Sequence, residues 1–277
     1  MRFQVQKMAF VAMTLTAQTL WAQQGSSTSK AVAPAPKEPA FSGSFTVDRG
    51  TSLIDWQDGT RQDSLDLGAE LGFKFNPTYS GRVILAYSHD LNDSEAHGFA
   101  DTTFVFSRKG WSLSKSWELK PSLIEIFPTS DDSAKVQNLL FGTGAGIGLG
   151  LKPEAVPGLS FGVSVNLIKL IHQYTTKTDD TPNKEYSSKQ AMTLGYSVGD
   201  FSMGLALAHR DGVSYFGVTS ESFEHAESLS YQASENIGIN LAHSLAGPVY
   251  KANSRDSNVS LWNEDASMVS LGLKVGF

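Results

Sequence analysis

From Phe41 to Phe277 the chain alternates large apolar residues with small or polar ones, segment after segment. A period of two is the signature of a β-strand, because successive side chains leave opposite faces. The sharpest case is Leu139–Leu151. Its odd positions are Leu139, Phe141, Thr143, Ala145, Ile147, Leu149 and Leu151, and its even positions from Gly142 to Gly150 are all glycine. Glycine weakens an ordinary buried strand, but a wall with lipid outside and a lumen inside can use a nearly bare face. Between Ser64 and Asn76 the same alternation sets Leu65, Leu67, Ala69, Leu71, Phe73 and Phe75 against Asp66, Gly68, Glu70, Gly72 and Lys74. This is the pattern of a membrane-barrel strand with a polar lumen side.

Reading on in this way predicts about twelve strands. They lie near 41–49, 64–76, 83–88, 99–107, 117–123, 139–151, 159–167, 192–198, 201–208, 222–232, 237–245 and 268–277. The weakest pattern is 222–232, where only Phe223, Leu229 and Tyr231 are good outward residues. Pro121 cannot donate to a ladder, so a bulge or weakened pairing is expected there. Lys169 interrupts an apolar row. Either a bulge flips the face, or the side chain snorkels at an interface, since mid-bilayer it would cost about 2–4 kcal/mol. Short links (Asn76–Thr78, Arg108–Ser112, Lys152–Gly158, Gly199-Asp200, Ala233–Glu235) alternate with long polar ones (Gly50–Asp63, Leu91–Gly98, Pro128–Asn138, Thr175–Glu185, Arg210–Glu221, Pro248–Ser267). Aromatics gather near both sets of strand ends, as two membrane interfaces require. The expected fold is all-β: a closed antiparallel transmembrane β-barrel of meander topology with both chain ends on the short-turn rim.

The ending Val269-Ser-Leu-Gly-Leu-Lys-Val-Gly-Phe277 resembles the closing strand of bacterial outer-membrane β-barrel proteins. In that class the terminal aromatic is recognised by the barrel-assembly machinery, which makes Phe277 the candidate assembly signal. The resemblance is to the class and to no particular family. It implies a bacterial outer-membrane location, contact with outer-membrane lipid and lipopolysaccharide, and a porin-like passage of small hydrophilic solutes.

The amino-terminal stretch reads differently. Residues 1–22, with Arg2 and Lys7 before an apolar run and Ala22 as the last residue before cleavage, read as a secretory signal peptide. Residues 23–40, rich in Ser, Ala and Pro, read as a flexible periplasmic tail, with entry into the lumen as the sharper alternative. Residues 41–277 are the barrel. There is no cysteine, which removes disulfides, thiolate chemistry and a lipidated cysteine. Without Arg2 and Lys7, 20 Lys and Arg of the 22 face 28 acids, a formal charge of −8. That balance excludes nucleic acid as partner.

Candidate chemistry lies on the inward face: Asp48, Asp66, Glu70, Lys74, Arg82, Asp101, Glu118, Lys120, Arg210 and Lys274. These line a hydrated lumen in which they pair across strands, or they tune a weakly selective pore, with Arg82, Arg210 and Lys120 facing Glu70, Asp101 and Glu118. The glycine face Gly142, Gly144, Gly146, Gly148 and Gly150 widens that side of the lumen, or lets a tail or loop approach. All six histidines (His89, His97, His172, His209, His225, His243) map to the outer half. His89 and His97, beside Asp90, Asp93 and Glu95, are weak candidates for metal, with no tight ligand spacing; no cofactor is expected. An outer-rim hydrolase is a rival reading, because His209 and Asp211 share a face and Ser214 is near. No third group or oxyanion site can be named for it. A structural or adhesion barrel using the loops Thr175–Glu185 and Pro248–Ser267 is a third.

Overall fold

The computed structural model describes residues 41–54, 61–93, 96–251, 256–263 and 266–277. The signal, the tail and Glu95 lie outside them. Among the described residues, β1 is Phe41–Ser52, β2 Asp63–Lys74 and β3 Tyr79–Asp90. An interrupted strand, β4, comprises His97–Phe99, Thr102–Arg108 and Trp111–Ser112. Then follow β5 (Trp117–Phe127), β6 (Leu139–Leu151), β7 (Leu159–His172), β8 (Lys184–Val198), β9 (Phe201–Ser214), β10 (Thr219–Gln232), β11 (Ile237–Pro248) and β12 (Ser267–Gly276). Each strand pairs antiparallel with its sequence neighbours, and β12 pairs with β1, so twelve strands close a ring with no free edge.

Closure decides which face meets what. Phe45, Leu71, Leu123, Ile147, Val163, Leu194, Met203, Leu241 and Leu273 are exposed on the outside, forming the apolar band that a bilayer covers. Leu167 and Leu271 are 58% and 60% exposed, and in water the band they belong to would be a large unpartnered apolar surface. At the seam, Gly43 and Phe277 exchange backbone hydrogen bonds of 3.0 and 2.9 Å. The Phe277 ring lies where a Cβ on Gly43 would stand. Aromatic pairs sit at both rims: Tyr79–Phe106 and Phe201–Tyr231 at the short-turn rim, Tyr87–Phe99 at the other. In the two-residue hairpin, Gly199 has φ 57°, a conformation that costs a residue without a Cβ little.

Three details depart from, or resolve, the sequence pattern. The link expected at Arg210–Glu221 is only Tyr215–Val218, because β9 and β10 continue through polar residues on both faces. That double polarity hides strand in a reading based on apolar alternation. Likewise β4 resumes at Trp111, so its turn lies after Ser112. Between the pairs Ser107↔Ser122 and Trp111↔Leu119, β4 carries one residue more than β5. This bulge faces Lys120-Pro121, where the missing N–H would leave a gap in a regular ladder. Lys169 does not break register, as Thr143↔Lys169↔Tyr186 pair normally. Its Nζ lies 3.6 Å from Glu185 and 5.3 Å from the Tyr186 ring centroid, an interfacial setting for a snorkelling lysine.

Candidate functional site

The lumen wall follows from register. Since side chains alternate, fixing one inward residue on each strand fixes the rest. On β12, β1, β2 and β3 the inward rows bring together Lys274, Asp48, Asp66, Glu70 and Arg82. Arg82 Nη1 is 3.5 Å from Glu70 Oε1, and Lys274 lies within electrostatic reach of both. Asp66 accepts hydrogen bonds from the hydroxyls of Ser64 (2.8 Å) and Ser88 (2.6 Å). Asp48 pairs with Asp66 across the ladder and lays its carboxylate over the face of Gly272. Lys74 ends the inward row of β2 at the short-turn rim.

A second charged group stands on β8, β9 and β10. Lys189 Nζ donates to Glu224 Oε2 at 2.8 Å, and Arg210 donates to Glu224 Oε1. A bulge between Lys184 and Tyr186 shifts the alternation, so Lys184 also faces inward and extends this group toward the outer rim, its stem lying over Gly212. In a ring of twelve a strand faces the one six places on, so β8 stands across the lumen from β2. Asp48, Asp66, Lys189, Arg210 and Glu224 all occupy the outer halves of their strands. One wall thus bears two acids and the facing wall a cationic cluster around a single acid.

Between these walls the lumen is less polar than the sequence pattern predicts. Ile84, Val105, Ile124, Ile126, Ile168 and Leu170 all point inward by register on β3, β4, β5 and β7, with Ile84 and Ile124 buried. The glycine face explains how they fit. A Cβ on Gly142 would meet Leu170 and Ile126, one on Gly144 would meet Ile168, and one on Gly146 would meet Asn166 and Ser122. A Cβ on Gly148 would have nothing nearer than 3.8 Å, and one on Gly150 nothing nearer than 3.9 Å. The outer part of the column is covered by neighbouring side chains, and its inner part opens to the lumen.

The structure brings together Glu70 with Arg82, and Glu118 with Lys120 at 3.0 Å. It gives Arg210 a partner, Glu224, that the sequence reading did not single out. Asp101 has a different setting, in the break of β4. Its carboxylate accepts from Ser130 N (3.0 Å), Ser130 Oγ (2.7 Å) and Ser133 Oγ (2.5 Å), anchoring the outer loop 128–138. Lys184, Lys189 and Glu224 escaped the sequence reading because β8 begins eight residues before its first clear apolar row, and β10 is mostly polar. Extending the alternation back from Ala191 would have found Lys189.

The histidines lie toward the outer ends of their strands. His89 and His97 are a cross-strand pair with ring centroids 5.8 Å apart. His225 and His243 flank Glu227 at 3.4 and 3.6 Å on the outward face, and Trp262 stacks on His243. His209 and Asp211 do share the outward face of β9. Ser214 has opposite parity, and its hydroxyl accepts the N–H groups of Phe216 (3.3 Å) and Val218 (3.0 Å) in the turn. It is therefore not placed to serve His209 as a nucleophile.

No family model matches the chain, and no curated protein matches it in sequence. Solved structures do resemble it. An outer membrane channel from Pseudomonas putida F1 has a TM-score of 0.57 at 11% identity, over 89% of this chain and 100% of that one. The NanC porin has 0.54 at 12%, over 84% and 98%. The KdgM porin in complex with disordered oligogalacturonate has 0.51 at 11%, over 84% and 99%. At such identities the likeness is one of fold: that of bacterial outer-membrane β-barrels.

Proposed function

We propose that the protein is an outer-membrane channel for passive, weakly selective passage of small hydrophilic solutes. The observation that carries this reading is the pair of charged walls facing each other inside a closed ring whose outside is apolar. Charge of both signs across a lumen orients polar solutes and biases ions, while a barrel serving only as a scaffold has no need of an unbalanced cationic wall. The porin-like fold of the structural neighbours supports the reading. A hydrolase is less well supported, since Ser214 is turned away from His209. Small solutes and outer-membrane lipid are the partners this reading implies.

Single-channel recording in planar bilayers tests it. The refolded protein should give stable conductance steps. Lys189→Gln together with Arg210→Gln should move the reversal potential in a salt gradient toward cation preference, and Asp48→Asn with Asp66→Asn should move it the other way. Folded protein that inserts but gives no steps at any voltage overturns the channel reading.

A further inference from the structure

The outward row of β9 is apolar from Phe201 to Leu207 and then changes to His209 and Asp211. Glu221 of β10 lies directly across from Asp211 on the same face. Two carboxylates opposite each other on paired strands repel, so the pair calls for a cation. His209 is placed between them. Its Nδ1 is 3.6 Å from Asp211 Oδ2 and its Nε2 is 3.7 Å from Glu221 Oε2. One ligand atom from each of the three residues lies within 4.8 Å of the other two.

A second observation concerns the supporting residues on β8. Gln190 Oε1 is 3.1 Å from His209 Nδ1, and Gln190 Nε2 donates to Asp211 Oδ2 at 3.1 Å. Ser188 Oγ donates to the same oxygen at 3.0 Å. An amide oxygen that accepts the Nδ1 proton leaves the imidazole lone pair on Nε2, the side facing Glu221, and a turn of the Asp211 side chain brings its carboxylate to an ion held there. Partners of this kind orient metal-binding histidines and carboxylates. The three side chains are each about 40% exposed, so an ion reaches them without any opening of the barrel.

We propose that His209, Asp211 and Glu221 form a zinc-class divalent metal site on the outer face of the barrel, independent of whether the lumen conducts. An imidazole with two carboxylates suits Zn²⁺ and its neighbours Co²⁺ and Ni²⁺, whereas Mg²⁺ and Ca²⁺ prefer all-oxygen sets. Three protein ligands leave a fourth position for water. Binding draws β9 and β10 together where their facing acids otherwise push them apart.

The test uses the untagged barrel folded in detergent, titrated with Co²⁺ and followed by visible d–d absorption. One Co²⁺ should bind per barrel and be displaced by Zn²⁺. His209→Ala and Glu221→Gln should each weaken binding by roughly tenfold or more, and Gln190→Leu, which removes no ligand, by about tenfold. His97→Gln should leave affinity unchanged. Heat-modifiable gel mobility confirms that each variant is folded. The proposal is overturned by no absorption at millimolar Co²⁺, by equal affinity in His209→Ala, or by a His209 that responds only to pH, which would make the imidazolium alone the cation between the acids.

Discussion

Asn183 is fully buried at the outer rim, and its amide holds two outer loops together. Its Nδ2 donates to the carbonyls of Gln137 (2.8 Å) and Tyr174 (2.9 Å), while its own N–H reaches Thr175 O at 2.8 Å. Removing the side chain takes the amide donor from two partly buried carbonyls, at about 0.5–1.5 kcal/mol each. Asn183→Ala should therefore loosen the loops while the barrel stays closed. Trypsin should cut faster after Lys135 and Lys177 in a variant whose folded gel mobility is unchanged. Asn183 and Asp101 were opaque in the sequence for one reason: each has partners on another loop, Gln137 for Asn183 at 46 residues and Ser130 and Ser133 for Asp101 at 29 and 32. Arg82 with Glu70 was more legible, because both lie on clear strands joined by a short turn.

At the scale of the element, β6 repays attention because its two faces were so plainly written. The outward row is as read from Phe141 to Leu151, but a bulge between Leu139 and Phe141 pairs Leu139 with inward His172 and buries it, leaving Leu140 exposed instead. The glycine row is not uniformly bare. Asn166 and Ser122 occupy the space over Gly146, whereas the space over Gly148 is open. Two substitutions of equal size should then diverge. Gly146→Leu has to displace its neighbours and should cost roughly 1–3 kcal/mol, seen as a lower urea midpoint. Gly148→Leu should fold with little change in midpoint and lower the single-channel conductance by projecting into the lumen. Equal midpoints for the two would mean that Asn166 and Ser122 do not fill the column. β10 teaches the converse lesson. Its outward row includes Glu221, His225 and Glu227, so the apolar rule misjudges its length.

Over the whole molecule, stability depends on closure, since an open barrel would leave backbone groups unpaired in hydrocarbon. The seam joins β1 to β12 over nine register pairs and ends at Gly43 and Phe277. Phe277 packs over Gly43, and its resemblance to the terminal aromatic of outer-membrane barrels suggests a second, separable role in recognition by assembly machinery. Gly43→Val removes the seat for the ring and should slow refolding into detergent several-fold. Phe277→Ala should do the same and, in cells, should also lower the amount of folded barrel beyond the effect of Gly43→Val. Equal losses for both variants in cells would leave the terminal aromatic with a packing role alone.

The sequence by itself determined the strand count, the inward and outward parity of most strands, the sidedness of the loops and that the ladder is disturbed at Pro121. Each of these is a local consequence of two-residue periodicity or of turn chemistry, which neighbouring residues suffice to state. Only the tertiary structure decided which inward charges meet, how neighbours fill the outer part of the glycine column, and that Glu221 joins His209 and Asp211. Those facts depend on register between strands and on how far each polar strand end extends. Backbone hydrogen bonding and ring closure set that register, whatever the polarity of the residues carried along.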